Sequence, residues 1–251
     1  MYCGCRDKTV ERWGLSVVFP LYDDNPFKLP VRPYATWGLI LINVAIFLAE
    51  IVTPEGRLIT PAFAVVPVTL THPGTWHLND WPGVTLITGM FLHGGWEHLL
   101  GNMVYLWVFG DDIEEVLGRS RFLIFYLLAG VAASIVYVAL NPNSSVPLIG
   151  ASGAISGVLA AYLMFRPCAK VTVFIFRVVV RIRAYWVIGG WALLQLAMLA
   201  NKPDDGVAYL AHVGGLAAGA LLFLVMRPAG VKLFECMARE AAPFAGLDGR
   251  A

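Results

Sequence analysis

The sequence predicts an all-α, polytopic membrane protein built as a six-helix bundle. Three observations carry that expectation. Of its 251 residues, 58% are hydrophobic and 14% charged, whereas a soluble domain carries about 25% charged residues; the mean hydropathy is correspondingly positive, at +0.69. Apolar stretches recur at close to the roughly 20 residues that a helix needs to cross a hydrocarbon core. Lys and Arg fall almost wholly on alternate connecting segments, as they do when a chain threads a bilayer.

The elements follow in order. Residues 34–52 form the first span, opening on Tyr34 and Trp37. Residues 96–115 and 121–140 form the second and third. The fourth, 151–165, is short, which suits a helix that starts inside the protein rather than at the lipid surface. Residues 171–182 are apolar and β-branched but carry Arg177 and Arg181 and are too short to cross. They are expected to be an interfacial loop, strand or hairpin; counted as a span, they would invert everything after them. Residues 185–200 and 207–226 complete the set. Trp96, Tyr185 and Trp186 join Tyr34 and Trp37 near span ends, where an aromatic belt sits.

With six spans and the N-terminus inside, sixteen of the eighteen Lys and Arg residues lie on the inner side, and the exceptions are Arg57 and Lys202. Three segments result: a cytoplasmic N-terminal arm (1–33), the six-helix domain (34–227) and a cytoplasmic C-terminal tail (228–251). The four cysteines, Cys3, Cys5, Cys168 and Cys236, all fall on the inner, reducing side and are expected to be free thiols. Cys3 and Cys5 have no histidine or further cysteine near them in sequence, and zinc normally takes about four ligands. His72 and His77 likewise have no acidic or cysteine neighbour, so no metal site is expected there.

The chemistry-bearing residues sit at one level. Spans two, four and six run in the same direction. His93, His98 and Asn102 lie at the start of the second, Ser152 opens the fourth, and His212 lies about one turn into the sixth. Alone, a membrane serine bonds back to its own helix or joins two helices, and a lone histidine packs as an interfacial residue. Convergence from three helices at one depth points instead to a serine activated by an imidazole. Gly153 and Gly157 on the fourth span, and Gly215 and Gly219 on the sixth, make small-residue faces that let two backbones approach closely. Ser156, one turn deeper than Ser152, is the rival nucleophile, with poorer access to water. The fourth and sixth spans offer no carboxylate beside His212, so a dyad is expected, with the imidazole tautomer fixed by packing or by other hydrogen bonds. Asn102, His98 and the Ser152 backbone N–H are candidate oxyanion donors.

These residues resemble the rhomboid family of intramembrane serine proteases. The likeness runs from about residue 35 to 226. It rests on His93-Gly-Gly-Trp-Glu-His98-Leu-Leu-Gly-Asn102, Gly150-Ala-Ser152-Gly153 and Ala211-His212-Val-Gly-Gly215-Leu-Ala-Ala-Gly219. Gly110, Glu114 and Gly118 resemble the family's G-x3-E-x3-G, where Glu114 is expected to hold the loop after the second span. The resemblance implies Ser152 as nucleophile, His212 as general base and then acid, and His98 and Asn102 as oxyanion stabilisers. It implies transmembrane protein substrates cleaved in or near their spans, within the lipid bilayer. No metal, cofactor, nucleotide or nucleic acid is implied. The setting it implies is the basic six-span form of a bacterial inner membrane. Residues 197–206 resemble the lateral gate and cap. Two departures stand out: the first outer loop, about 53–92, has Trp76 and Trp81 in place of a Trp-Arg pair, and Ser156 stands where some members place an aromatic residue against the histidine. Two other readings stay open, a non-catalytic rhomboid-like protein that binds membrane clients, and a transporter or channel that uses the polar cluster as a pathway.

Overall fold

The computed structural model describes residues 19–24, 32–52, 62–72, 82–175, 177–201 and 206–236. Cys3, Cys5, Trp76, His77, Trp81 and residues 202–205 of the stretch likened to the lateral gate and cap lie outside them. The described chain runs β1 (Phe19–Asp23), α1 (Tyr34–Val52), α2 (Pro67–Thr71), α3 (Pro82–Thr88), α4 (Trp96–Leu117), α5 (Arg119–Leu140), α6 (Ser152–Phe165), β2 (Lys170–Ile175), β3 (Val178–Arg183), α7 (Ala184–Asn201) and α8 (Tyr209–Met226). A helix stands at each of the six expected spans. Four of them, α1, α5, α7 and α8, are long and apolar enough to cross a membrane unaided. The other two are special cases: α4 is 22 residues long but ends in Asp111, Asp112, Glu114 and Glu115, and α6 has only 14 residues.

Helix α6 can be short because it is central. Nearly all of its residues are buried, from Gly153 to Met164, so its ends meet protein rather than lipid. It packs between α4, α5 and α8. Phe109, Phe122, Phe125, Tyr126, Val158 and Tyr162 are fully enclosed and form the middle of the core. The outward faces are apolar as well: Leu41, Val52, Leu193, Leu221 and Val225 are exposed. An apolar core inside an apolar shell is what a lipid solvent selects.

The spacing Gly110, Glu114, Gly118 now has a physical account. Gly110 lies where α1 crosses α4, and a Cβ there would come within 3.1 Å of the Thr36 methyl. The carboxylate of Glu114 accepts the Ala35 N–H at 2.9 Å, the Thr36 N–H at 2.7 Å and the Thr36 hydroxyl at 2.8 Å. An anion at a helix N-terminus satisfies donors that the helix itself leaves unmatched. The sequence suggested that Glu114 holds the loop after the second span; its hydrogen bonds instead cap α1, and Arg119 stands 4.0 Å away. Gly118 turns the chain with φ of 78°, a left-handed conformation open to glycine.

The stretch 171–182 is a hairpin, β2 paired antiparallel with β3. A third strand was not expected: β1, from the N-terminal arm, pairs antiparallel with β2. The Tyr162 hydroxyl donates to Asp23 Oδ2 at 2.6 Å, and Asp24 pairs with Arg181. Beside them Arg166 and the buried Asp112 form an ion pair at 3.3 Å. After α8 the tail folds back onto this end: Val231 is buried, and the Phe234 N–H donates to the Met164 carbonyl at 2.8 Å. That return brings Cys236 to Cys168, Cα to Cα 5.1 Å, and the two are joined as a disulfide. The expectation of free thiols is corrected for this pair. Their 68-residue separation hid a contact that exists only because the tail doubles back.

Candidate active site

Three helices supply the site, all from their N-terminal turns. Ser152 is the first residue of α6, His212 lies in the first turn of α8, and His98 and Asn102 occupy the first two turns of α4. The axes of α6 and α8 come very close. A Cβ on Gly219 would run into the backbone of Gly157, and one on Gly215 into the carbonyl of Gly153. Four glycines face one another across this crossing, so no side chain holds the helices apart. The result is a contact one turn away: His212 Nε2 lies 2.8 Å from Ser152 Oγ.

The rival serine is engaged elsewhere. Ser156 is fully buried, and its hydroxyl donates to the Ser152 carbonyl at 2.6 Å, the back-bond expected of a helical serine in an apolar setting. Ser152 is only partly buried. A small cavity opens beside it, lined by Met90, Ile149, Gly150 and Ala211 among others.

The segment leading into Ser152 is held by the first loop. Val65 and Leu148 exchange both backbone hydrogen bonds, at 3.1 and 2.7 Å, and the Gly150 N–H donates to the Gly89 carbonyl at 2.9 Å. Gly150 has φ of 114°, and a Cβ on it would meet the His98 ring at 2.6 Å. Glycine is therefore needed twice over, for its backbone angle and for the imidazole lying against it. The Gly94 N–H reaches His98 Nδ1 at 3.5 Å. An accepting Nδ1 leaves the ring proton on Nε2, the nitrogen that faces Gly150. The buried Asn102 amide nitrogen has no hydrogen-bond partner among the described residues and also lies near Gly150. Two N–H groups from α4 thus border the Gly150 side of Ser152, and α6 begins there with unpaired backbone N–H groups. His93 is buried and set edge-on against His98, with centroids 5.1 Å apart.

The surroundings of His212 hold what the sequence did not reveal. Its Nδ1 lies 2.7 Å from Oε1 of Gln195, a buried residue of α7. The Trp191 ring, one turn earlier on α7, lies tilted 36° to the imidazole with centroids 5.8 Å apart. Tyr209 meets it edge-on at 6.4 Å. Ser156 offers no ring to the imidazole, and Trp191 covers it instead from a different helix. The single clue in the sequence was an amide inside an apolar stretch, a residue type that marks interhelical contact.

Comparison with known proteins agrees with this architecture. The rhomboid domain family model matches residues 80–229. The chain is 31% identical over 238 residues to rhomboid protein 1, mitochondrial, of Saccharomyces cerevisiae, covering 83% of this chain and 60% of that protein. It is 27% identical over 229 residues to rhomboid protease AarA of Providencia stuartii, covering 79% and 76%. With rhomboid protease GluP of Bacillus subtilis it shares 39% identity over 102 residues, 41% of this chain and 18% of that protein. The matched region therefore spans about three-fifths of the yeast protein and less than a fifth of GluP. With the family model matching more than half of the chain and the helices arranged to suit, this multi-pass membrane chain belongs to the rhomboid family.

Proposed function

We propose that the chain is an intramembrane serine endopeptidase that hydrolyses peptide bonds in or near the spans of other membrane proteins. The observation that carries the reading is the 2.8 Å contact between Ser152 Oγ and His212 Nε2, made by two different apolar helices. A hydroxyl is a weak nucleophile until a base takes its proton as it attacks. Ser152 Oγ bonds to the scissile carbonyl carbon while its proton passes to His212 Nε2. The carbonyl electron pair moves to oxygen, and that anion accepts hydrogen bonds from Asn102, His98 and the Ser152 backbone N–H. Collapse of the adduct expels the amine, which takes the proton from His212. Water, deprotonated by the same imidazole, then cleaves the acyl-serine ester and frees the enzyme.

The substrate class follows from where the serine lies. Only a polypeptide that enters the bilayer reaches it, and a helical peptide bond must unwind before its carbonyl can be attacked. The charge asymmetry supports a cytoplasmic location for both termini, with the site near the opposite face. A bacterial inner membrane fits that arrangement.

Labelling with a fluorophosphonate tests the reading, because the reagent reports a nucleophilic serine without knowledge of the substrate. The parent chain in nanodiscs is expected to label and Ser152→Ala to remain unlabelled. A parent chain that fails to label would favour a client-binding protein. Labelling that persists in Ser152→Ala would remove that serine from the mechanism.

A further inference from the structure

The proposed dyad leaves one requirement unmet. For His212 to take a proton at Nε2, that nitrogen must carry a lone pair, so the ring proton must sit on Nδ1. A neutral imidazole in an apolar setting has no intrinsic reason to hold it there. Nδ1–H also needs an acceptor, because a buried donor left unsatisfied loses its hydrogen bond to water and gains none. The partner 2.7 Å from Nδ1 is the carboxamide oxygen of Gln195. That oxygen accepts and does not donate, so its contact selects the Nδ1–H tautomer. Gln195 is 5% exposed, which shields the bond from competing water.

We infer that Gln195 is a positioning residue of the active site, fixing the tautomer and orientation of His212 so that Ser152, His212 and Gln195 act as one hydrogen-bonded unit across α6, α8 and α7. The inference rests on the assignment of Ser152 and His212 as nucleophile and base. Trp191 and Gln195 lie one turn apart on α7 and contact the same imidazole, one over its ring and the other at its edge. The unit differs from one completed by a carboxylate in a predictable way. A neutral amide orients the ring but adds no negative charge to stabilise the imidazolium that forms during attack.

Two substitutions separate positioning from packing. Gln195→Leu keeps most of the side-chain volume and removes the acceptor. Gln195→Glu restores an acceptor of the same length and adds charge. The groups facing His212 are Ser152 from α6, Gln195 and Trp191 from α7, Tyr209 from its own helix and His98 from α4. None of these groups carries a carboxylate, so an acid at 195 would dominate any change. The readouts are the fluorophosphonate labelling rate against pH, the thermal unfolding midpoint, and the ¹⁵N shifts of His212 in histidine-labelled protein in nanodiscs, identified by comparison with His212→Ala.

The parent chain should show His212 as the Nδ1–H tautomer. Gln195→Leu should label at least ~10-fold more slowly, against the ~10²–10⁴-fold that general-base catalysis supplies, with its unfolding midpoint kept and its tautomer mixed or reversed. Gln195→Glu should regain labelling at alkaline pH. Its acid limb should lie at higher pH, because a carboxylate raises the pKa of the imidazole and the base works only when neutral. Labelling by Gln195→Leu within twofold of the parent, an unchanged tautomer, or an equal loss in both variants with no shift of the acid limb would overturn the inference. A parent chain that does not label defeats the protease reading separately, and the tautomer of His212 with and without Gln195 still decides this one.

Discussion

Asn102 shows how much one side chain can disclose. It is a buried amide whose nitrogen has no hydrogen-bond partner among the described residues. A donor kept unpaired at the mouth of a nucleophile site suits charge that exists only during reaction. Asn102→Ala should therefore slow fluorophosphonate labelling by ~10²–10³-fold while its thermal midpoint stays near that of the parent. A matching fall in both would make Asn102 a packing residue. Ser152, His212, His98 and Asn102 could be read from the sequence as candidates because each sits in a short motif with fixed spacing. Gln195 was not: nothing in its local sequence ties it to a histidine 17 residues away on the next helix. Likewise the Glu114 carboxylate was readable as structural, but its target, the start of α1, depends on a contact 78 residues away.

Among the elements, the pairing of α6 with α8 decides whether a site exists at all. Their glycines are in backbone contact, and the Ser152–His212 distance follows from that approach. Gly219→Val should push the helices apart, lowering the unfolding midpoint and abolishing labelling together. Gly38, which has nothing within 4 Å of an added Cβ, supplies the contrast. Gly38→Ala should leave labelling unchanged and gain up to ~1 kcal/mol from helix propensity. A Gly219→Val protein that labels normally would show that the close approach is dispensable. All six long or apolar helices were legible from hydropathy, and α6 as the short one. The β2–β3 hairpin was foreseen as one of three options. The added strand β1 was not, since strand pairing of a polar arm depends on an edge presented by a distant hairpin.

The whole molecule is polarised. Its candidate site residues gather where α4, α6 and α8 begin, and its sheet, the Arg166–Asp112 ion pair and the Cys168–Cys236 disulfide gather where α6 ends. In the proposed orientation the sheet end lies on the cytoplasmic side of the membrane. Single cysteines introduced into a background without the native ones test this on intact cells. Asn143→Cys, on the exposed connection between α5 and α6, should react with a membrane-impermeant maleimide. Arg121→Cys, exposed near the start of α5, should react only after lysis. The reverse pattern would turn the molecule over and place its serine on the opposite face.

What the sequence by itself determined are the properties carried by short range and by bulk composition: a membrane setting, six helical segments, the hairpin region, and the shared level of Ser152, His212, His98 and Asn102, the candidate site residues. Periodicity, hydropathy and motif spacing encode these directly. Tertiary structure alone decided which groups complete the site and close the ends. It brought Gln195 and Trp191 to His212, Val65 and Gly89 to the segment before Ser152, Glu114 to α1, β1 to the sheet and Cys236 to Cys168. Each of these joins residues from separate elements, and a linear pattern holds no record of which faces meet once the helices have packed.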